Sequence, residues 1–351
     1  MTDSGGAGRE PRPTDTVTLP VVELVDLVRR ALEHAGLPPE EAAGSARVCV
    51  AAEVRGKRTH GLTLLPQLID QYQEGEKRRR PVSVVARSVV SEQLDGGFNA
   101  SLHLHAQAAS RAASLASEVG VGLVSIVNAG VSGALGVHVE EMARRGVVAI
   151  AINSTPAVVV PLGGSEPLLG TNPMAWAVPR RDGHPVVLDM ATSSIAYHAL
   201  RRAVAEGRPV PRGVVVDAQG AVTTDLDEAV RPDGRPRILP FGGHRGSALS
   251  ILIELTVAAG LGQAVGSAKA QAPLGAAVDF PGVYLAWRPD VIGSESDYHA
   301  ATEQLLADLV AGGATYPGRS AEARLDLAAA EGRVEVVRRS VQDVTDLLAQ
   351  S

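Results

Sequence analysis

The chain has 351 residues, 45% of them hydrophobic and 21% charged, and carries a formal net charge of -6. That length allows one large domain or two ordinary ones around a buried core, and the negative balance excludes nucleic acid as the main partner, because counterion release needs clustered Lys and Arg. A single cysteine, Cys49, excludes a disulfide framework and a cysteine-based zinc site and favours a reducing, cytoplasmic setting, and no apolar run approaches the roughly 18 residues of a membrane span.

Residues 1–16 are polar and rich in Gly and Pro, lack the apolar centre of a secretory signal, and read as a disordered leader to a single unit over 17–351. From Thr18 on, Leu24, Leu27, Val28, Ala31, Leu32 and Ala35 form one helical stripe that stops at Gly36. A second helix opens in "LPPEEAAG" and ends at Gly56, which leaves His60 of "RTHGL" just past a helix C-terminus and before a short helix. The basic run "EKRRRP" reads as a solvated loop, and valine-rich residues 82–90 read as a strand. His103 and His105 in "SLHLHAQ" stand at strand spacing; without an acidic neighbour they are expected to be packed or solvent-facing, not metal ligands. An alanine-rich helix follows over 108–119. The apolar run 121–127 reads as a strand covered on both faces. A Gly-rich turn, a helix over 135–145 and a strand over 147–152 complete a β-turn-α-β unit. Strands over 174–178, 185–190 and 282–287, a buried helix opening in "LPFGGHRGSALSILIEL", and closing helices give an α/β core with helical ends.

The turn "NAGVSGALG" spaces Gly130, Gly133 and Gly136 between a strand and a helix, where backbone N–H groups can meet a phosphate. The spacing is neither G-x-G-x-x-G nor the P-loop pattern, so a tight turn without a ligand stands as an equal reading. Residues 158–179 form a long loop dense in Gly and Pro that holds Thr171 and Asn172, and such loops inside a domain are usually functional. Asp189 ends an apolar strand. It reads either as the carboxylate that fixes a histidine tautomer or as the cap of a helix starting near Thr192. His60, between a hydroxyl residue and a glycine, reads either as a proton donor or as a capping residue. His34 and His138 are expected on helix surfaces, His184 in a turn and His244 as a helix cap.

In this order and spacing, "RTHGLTLLPQLIDQY", "INSTPAVVVPLGGSEPLLGTNPMAWAVP", "VLDMATS" and "LPFGGHRGSALSILIEL" resemble the malate/L-lactate dehydrogenase-like family from Val21 onward. This is a non-Rossmann, NAD(P)-dependent group that includes ureidoglycolate and sulfolactate dehydrogenases and Δ1-piperideine-2-carboxylate reductase. The last motif is most similar to the piperideine/pyrroline carboxylate reductases. The resemblance implies an α/β fold with a mixed sheet and helical termini around a nucleotide-binding region near residues 120–290. It also implies a homodimer, a small-molecule substrate, and NADPH or NADH as cofactor, with NADPH favoured. His60 would protonate the oxygen or nitrogen of a C=O or C=N bond as hydride arrives from the nicotinamide. Thr59 stands where serine is usual, Asp189 would orient His60, and Thr171 would touch substrate. Val131, Ser132, Gly133, Ala134, Leu135, Pro161, Leu162, Gly163, Gly164 and Arg245 would line the cofactor, and no metal is implied.

Four positions depart from the family pattern. Leu64 replaces an arginine that clamps the substrate carboxylate, a fork that an aliphatic group cannot imitate. Val131 replaces a histidine, His198-Ala199 replaces Gly-Lys, and Arg245 replaces a lysine. Three hypotheses follow: a reductase of a less carboxylate-dependent imine or ketone, serving a specialised biosynthetic step; a 2-hydroxy acid dehydrogenase whose substrate carboxylate is held by Arg58 or Arg245; and a family member that has lost redox chemistry.

Overall fold

Of the expected leader, all but Asp15 and Thr16 lies outside the described residues, which are 15–205, 207–272 and 280–349 of a computed structural model. Thr16 already opens a strand, β1 (Thr16–Pro20), which leads into helices α1 (Val21–His34) and α2 (Pro39–Val54). Two 3-10 turns, Arg58–His60 and Leu62–Leu64, then run into α3 (Leu65–Glu74). Next come β2 (Ser83–Arg87), β3 (Ser91–Asn99), α4 (Leu102–Val119), β4 (Val121–Ala129), α5 (Leu135–Ala143), β5 (Val148–Asn153), β6 (Met174–Val178) and β7 (Val186–Met190). The chain continues through α6 (Tyr197–Ala205), a hairpin of β8 (Val215–Val216) and β9 (Val222–Thr223), α7 (Leu226–Ala229), α8 (His244–Ile253) with a π-helical extension Glu254–Ala259, and α9 (Gly266–Gln271). It closes with β10 (Gly282–Trp287), α10 (Glu295–Ala311), α11 (Arg319–Glu331), β11 (Arg333–Val337) and α12 (Arg338–Ala349).

The main sheet has the order β2-β3-β4-β10-β5-β6-β7, and of its neighbouring pairs only β3 with β4 is parallel. The expected β-turn-α-β unit is therefore opened: β4 and β5 run the same way, but β10 lies between them, antiparallel to both. Helix α4 packs on this sheet through Ala108, Ala109, Ala112, Ala113 and Ala116, all buried, and those small side chains let it approach β4 and β10 closely. Strand β2 is exposed along its whole length as the sheet edge.

A second core joins α1, α2 and α3 to β11 and α12, with β1 and β11 paired antiparallel. No local pattern announced that pair, because neither strand has a partner near it in sequence. A third, smaller core gathers Val158, Val159, Leu200, Val215 and Ile238. Helix α2 is buried at Ala42, Ala46, Cys49, Val50 and Ala52, so its C-terminal turn delivers His60 to a boundary between cores. Half-buried Arg55, at the end of α2, donates to buried Glu140 on α5 at 2.6 Å and so ties the His60 turn to the helix that follows the Gly-rich turn. Arg79 of the expected solvated run instead stacks on Tyr72 at 3.6 Å, and Arg78 on Phe98 at 3.8 Å. Among the described residues, no helix is long and apolar enough to cross a membrane.

Candidate active site

Beyond α2, Gly56 reverses the chain with a positive φ, and the turn Arg58–His60 is closed by the His60 N–H donating to the Lys57 carbonyl at 2.9 Å. The Thr59 hydroxyl and His60 Nδ1 stand 2.9 Å apart. A histidine that gives up a proton does so as imidazolium, in which Nδ1–H donates to the Thr59 hydroxyl oxygen and Nε2–H is left for a substrate acceptor. Gly61 is needed for space: a Cβ there would overlap the carboxylate of Glu53. Glu53 is buried beneath the turn and accepts the Leu62 N–H at 2.8 Å. Burial raises its pKa to about 7, against the Leu62 hydrogen bond and the Arg58 charge.

A carboxyl whose ordinary value near 4.5 is raised on folding binds its proton more tightly in the native state. Its contribution is complete at acidic pH and is lost as pH climbs from 4.5 through about 7. Glu53→Gln is therefore expected to gain stability relative to wild type as pH rises across that window. Urea unfolding of both proteins between about pH 5 and about pH 8 checks this; a stability difference that does not change with pH would show that Glu53 does not titrate there.

His60 opens onto a cavity of about 830 Å³. Its walls come from Lys57 and Thr59, from Leu64, Gln67, Asp70, Gln71 and Glu74 around α3, and from the whole turn Val131, Ser132, Gly133, Ala134 and Leu135. Thr155, Thr171 and Asp189 complete it, together with the α6 face of Tyr197, His198, Arg201 and Arg202. The fold thus gathers His60, Thr59, Asp189, Thr171, Leu64 and residues 131–135 around one space. Leu64 lines it while only 2% exposed, packed into the N-terminal core.

Pro161, Leu162, Gly163, Gly164 and Arg245 do not line this cavity. Leu162 N–H donates to Ser247 Oγ on α8 at 3.1 Å, and Arg245 is exposed on the first turn of that helix. These residues neighbour one another, not His60. Arg58 points away as well, paired with Glu335 at 2.9 Å.

Asp189 caps no helix, since none starts near Thr192; the Thr192 hydroxyl donates to the carbonyls of Thr171 and Asn172. The Asp189 carboxylate lies 3.2 Å from Lys57 Nζ, which also donates to the Asp189 carbonyl at 3.0 Å. Lys57 is a cavity residue that sequence reasoning missed. In the Gly-Thr-Asn-Pro segment, Thr171 Oγ1 meets Thr155 Oγ1 at 3.1 Å beside the cavity, and Asn172 turns into the interior. Asn172 Nδ2 donates to Ser250 and to Glu254 Oε1 at 3.0 Å, and Glu254 is paired with Lys269 at 2.7 Å.

His103 and His105 lie on α4, a helix that starts six residues before its expected beginning, so they point to different faces. His138, expected on a surface, is 2% exposed. Both buried histidines serve the Gly-rich turn. His105 Nε2 donates to the Gly130 carbonyl at 2.8 Å, and His138 Nε2 donates to the Ser132 carbonyl at 2.8 Å. Burial first, then the neighbouring His138, lowers the His105 pKa to about 3, so the ring is neutral and its Nδ1 accepts from the Tyr284 hydroxyl at 2.8 Å. Gln71 Oε1 accepts the Val131 N–H at 3.2 Å. Three buried side chains therefore hold the turn, and Gly133 carries the left-handed φ of 73° that aims it into the start of α5. His244 is the first residue of α8 and makes no capping hydrogen bond, and His184 bonds Asp326 at 2.8 Å. His198 lies with its ring centroid 6.0 Å from that of His60; burial, then His60 and Arg201, push its pKa down to about 4. Among the described residues, no group of three or more metal-ligating side chains could hold a metal ion.

The model of the family described as malate/L-lactate dehydrogenase matches residues 19–345. The chain is 37% identical over 259 residues to a delta(1)-pyrroline-2-carboxylate/delta(1)-piperideine-2-carboxylate reductase of Pseudomonas syringae pv. tomato, covering 73% of each chain. It is 35% identical over 238 residues to a (2R)-3-sulfolactate dehydrogenase (NADP(+)) of Chromohalobacter salexigens, covering 67% of this chain and 70% of that one. The crystal structure of delta1-piperideine-2-carboxylate reductase from Pseudomonas syringae superposes with a TM-score of 0.81 at 29% identity, over 94% of this chain and 99% of that one. The mixed sheet, the His60 turn and these likenesses agree: the chain is an oxidoreductase that belongs to the malate/L-lactate dehydrogenase family.

Proposed function

We propose that the protein reduces a C=N or C=O bond of a small cyclic imine or 2-oxo substrate, with NADPH or NADH as cofactor and His60 as proton donor. The observation that carries this reading is the single cavity in which His60, with Thr59 at its Nδ1, faces the Gly-rich turn before α5. That turn fits a nicotinamide cofactor. It precedes a helix N-terminus, it has a left-handed glycine, and three buried side chains fix its backbone. When bound, the cofactor supplies a hydride to the substrate carbon. His60 gives its Nε2 proton to the substrate nitrogen or oxygen and is reprotonated from solvent. Asp189, paired with Lys57 at the cavity wall, is proposed to hold the local charge that orients His60. NADPH is favoured, as the name of the sulfolactate relative suggests.

A 2-hydroxy acid dehydrogenase is the second reading, favoured by the cationic side chains on the α6 wall. The homodimer belongs to the proposal too, with exposed Ile251, Leu252 and Leu255 offering apolar surface along one side of α8 and its extension.

Saturating NADPH is expected to raise the melting temperature more than NADH does, by mass action on the native state; 100-fold saturation is worth about 2.7 kcal/mol. Gly133→Val, which forces a β-branched residue to a φ of 73°, is expected to abolish the rise. No shift with either nucleotide would leave the non-redox hypothesis standing.

A further inference from the structure

The family arginine is absent at Leu64, and the two replacements suggested by sequence, Arg58 and Arg245, lie away from the cavity. The cavity cations are Lys57, Arg201 and Arg202. Lys57 is committed to Asp189, and Arg202 is not without a partner. Among the described residues, no carboxylate pairs with Arg201; its guanidinium stands 5.9 Å from the Tyr197 ring. Arg201 follows His198 by three residues on α6, so the two side chains share one helix face about 5–6 Å apart at Cβ, and the His198 ring is 6.0 Å from His60. On the α3 side the cavity carries Asp70 and Glu74. Like charge there turns an anionic group toward α6.

We propose that Arg201 is the substrate-anchoring residue of this enzyme, binding a carboxylate carried on or next to the carbon that is reduced. The proposal rests on the reductase reading and deepens it. The anionic substrate is retained, and its clamp has moved from the His60 turn to α6. His198, held neutral by its surroundings, leaves the carboxylate to Arg201 and can donate one N–H to it. The Leu64 side then meets the apolar part of the ring.

The test uses picolinate, an aromatic 2-carboxylate that is not reduced, and pyridine, which lacks the carboxylate, titrated calorimetrically into the full chain. Wild type is expected to bind picolinate, and Arg201→Met to bind it about 10- to 150-fold more weakly, the worth of a charge-assisted hydrogen bond. Arg201→Lys is expected to recover part of the loss, with pyridine binding equal in all three proteins. In turnover, the same variant is expected to raise KM for Δ1-piperideine-2-carboxylate and leave Δ1-piperideine unaffected. Arg201 is exposed, so the variants fold, and matched melting temperatures verify it. Absence of picolinate binding to wild type, equal picolinate affinity in Arg201→Met, or equal losses for ligands with and without the carboxylate would overturn the proposal. Failure of the reductase reading is seen separately, as wild type that neither binds nor oxidises NADPH or NADH while picolinate binding still reports on Arg201.

Discussion

His60→Ala is expected to lower kcat by about 10²–10⁴-fold, the usual worth of a positioned general acid, while leaving nucleotide binding nearly unchanged. The physical reason is local. In the proposed mechanism the His60 imidazole is the proton source; it lines the same cavity as the Gly-rich turn, and its Nδ1, 2.9 Å from the Thr59 hydroxyl, leaves Nε2 for the substrate. The proposed nucleotide contacts come from residues 131–135 and not from His60, so the melting-temperature shift with NADPH is expected to survive the substitution. Asp189→Asn and Lys57→Met separate positioning from acid catalysis. Each breaks one side of the 3.2 Å pair and is expected to lower kcat less than His60→Ala does, with a displaced pH profile. Steady-state kinetics on the four proteins decide it. Undiminished turnover by His60→Ala would remove this residue from the mechanism.

The second large effect is on stability. Asn172→Ala is expected to destabilise the protein by about 3 kcal/mol in urea unfolding, because it leaves the Thr155 N–H without its acceptor and takes a donor from the Glu254 carboxylate. Asn172 also holds a φ of 32°, a region that asparagine tolerates better than alanine. Asn172→Asp keeps the shape but sets a second carboxylate 3.0 Å from Glu254 Oε1 and is expected to cost more than alanine, increasingly so at higher pH. Thr171, one residue away, moves with this network, so KM for substrate is expected to rise in both variants. A change below about 0.5 kcal/mol, the range of ordinary surface substitutions, would show that the buried network does not depend on Asn172.

Local chemistry is what the sequence by itself determined. The stripe from Leu24 to Ala35 and the stop signals at Gly36 and Gly56 depend on neighbours within a turn or two, and the structure follows them. The place of His60 past the end of α2, the Gly-rich turn ahead of α5, and the family membership carried by four motifs were legible for that reason. Tertiary structure alone decided the rest. Strand β10 enters between β4 and β5, β1 finds β11 at the far end of the chain, and α4 starts at Leu102 because its early turn is packed against other elements. The same holds for the site. Lys57 meets Asp189 across 132 positions, and His105 meets Tyr284 across 179. Glu53 comes under Gly61 only when the turn folds back on α2, and Arg201 enters the cavity only when α6 docks beside His60. Periodicity and capping record interactions between near neighbours in sequence. A carboxylate's partner, or a histidine's burial, is set by segments that meet only after the chain has collapsed, and no short window of residues encodes that meeting.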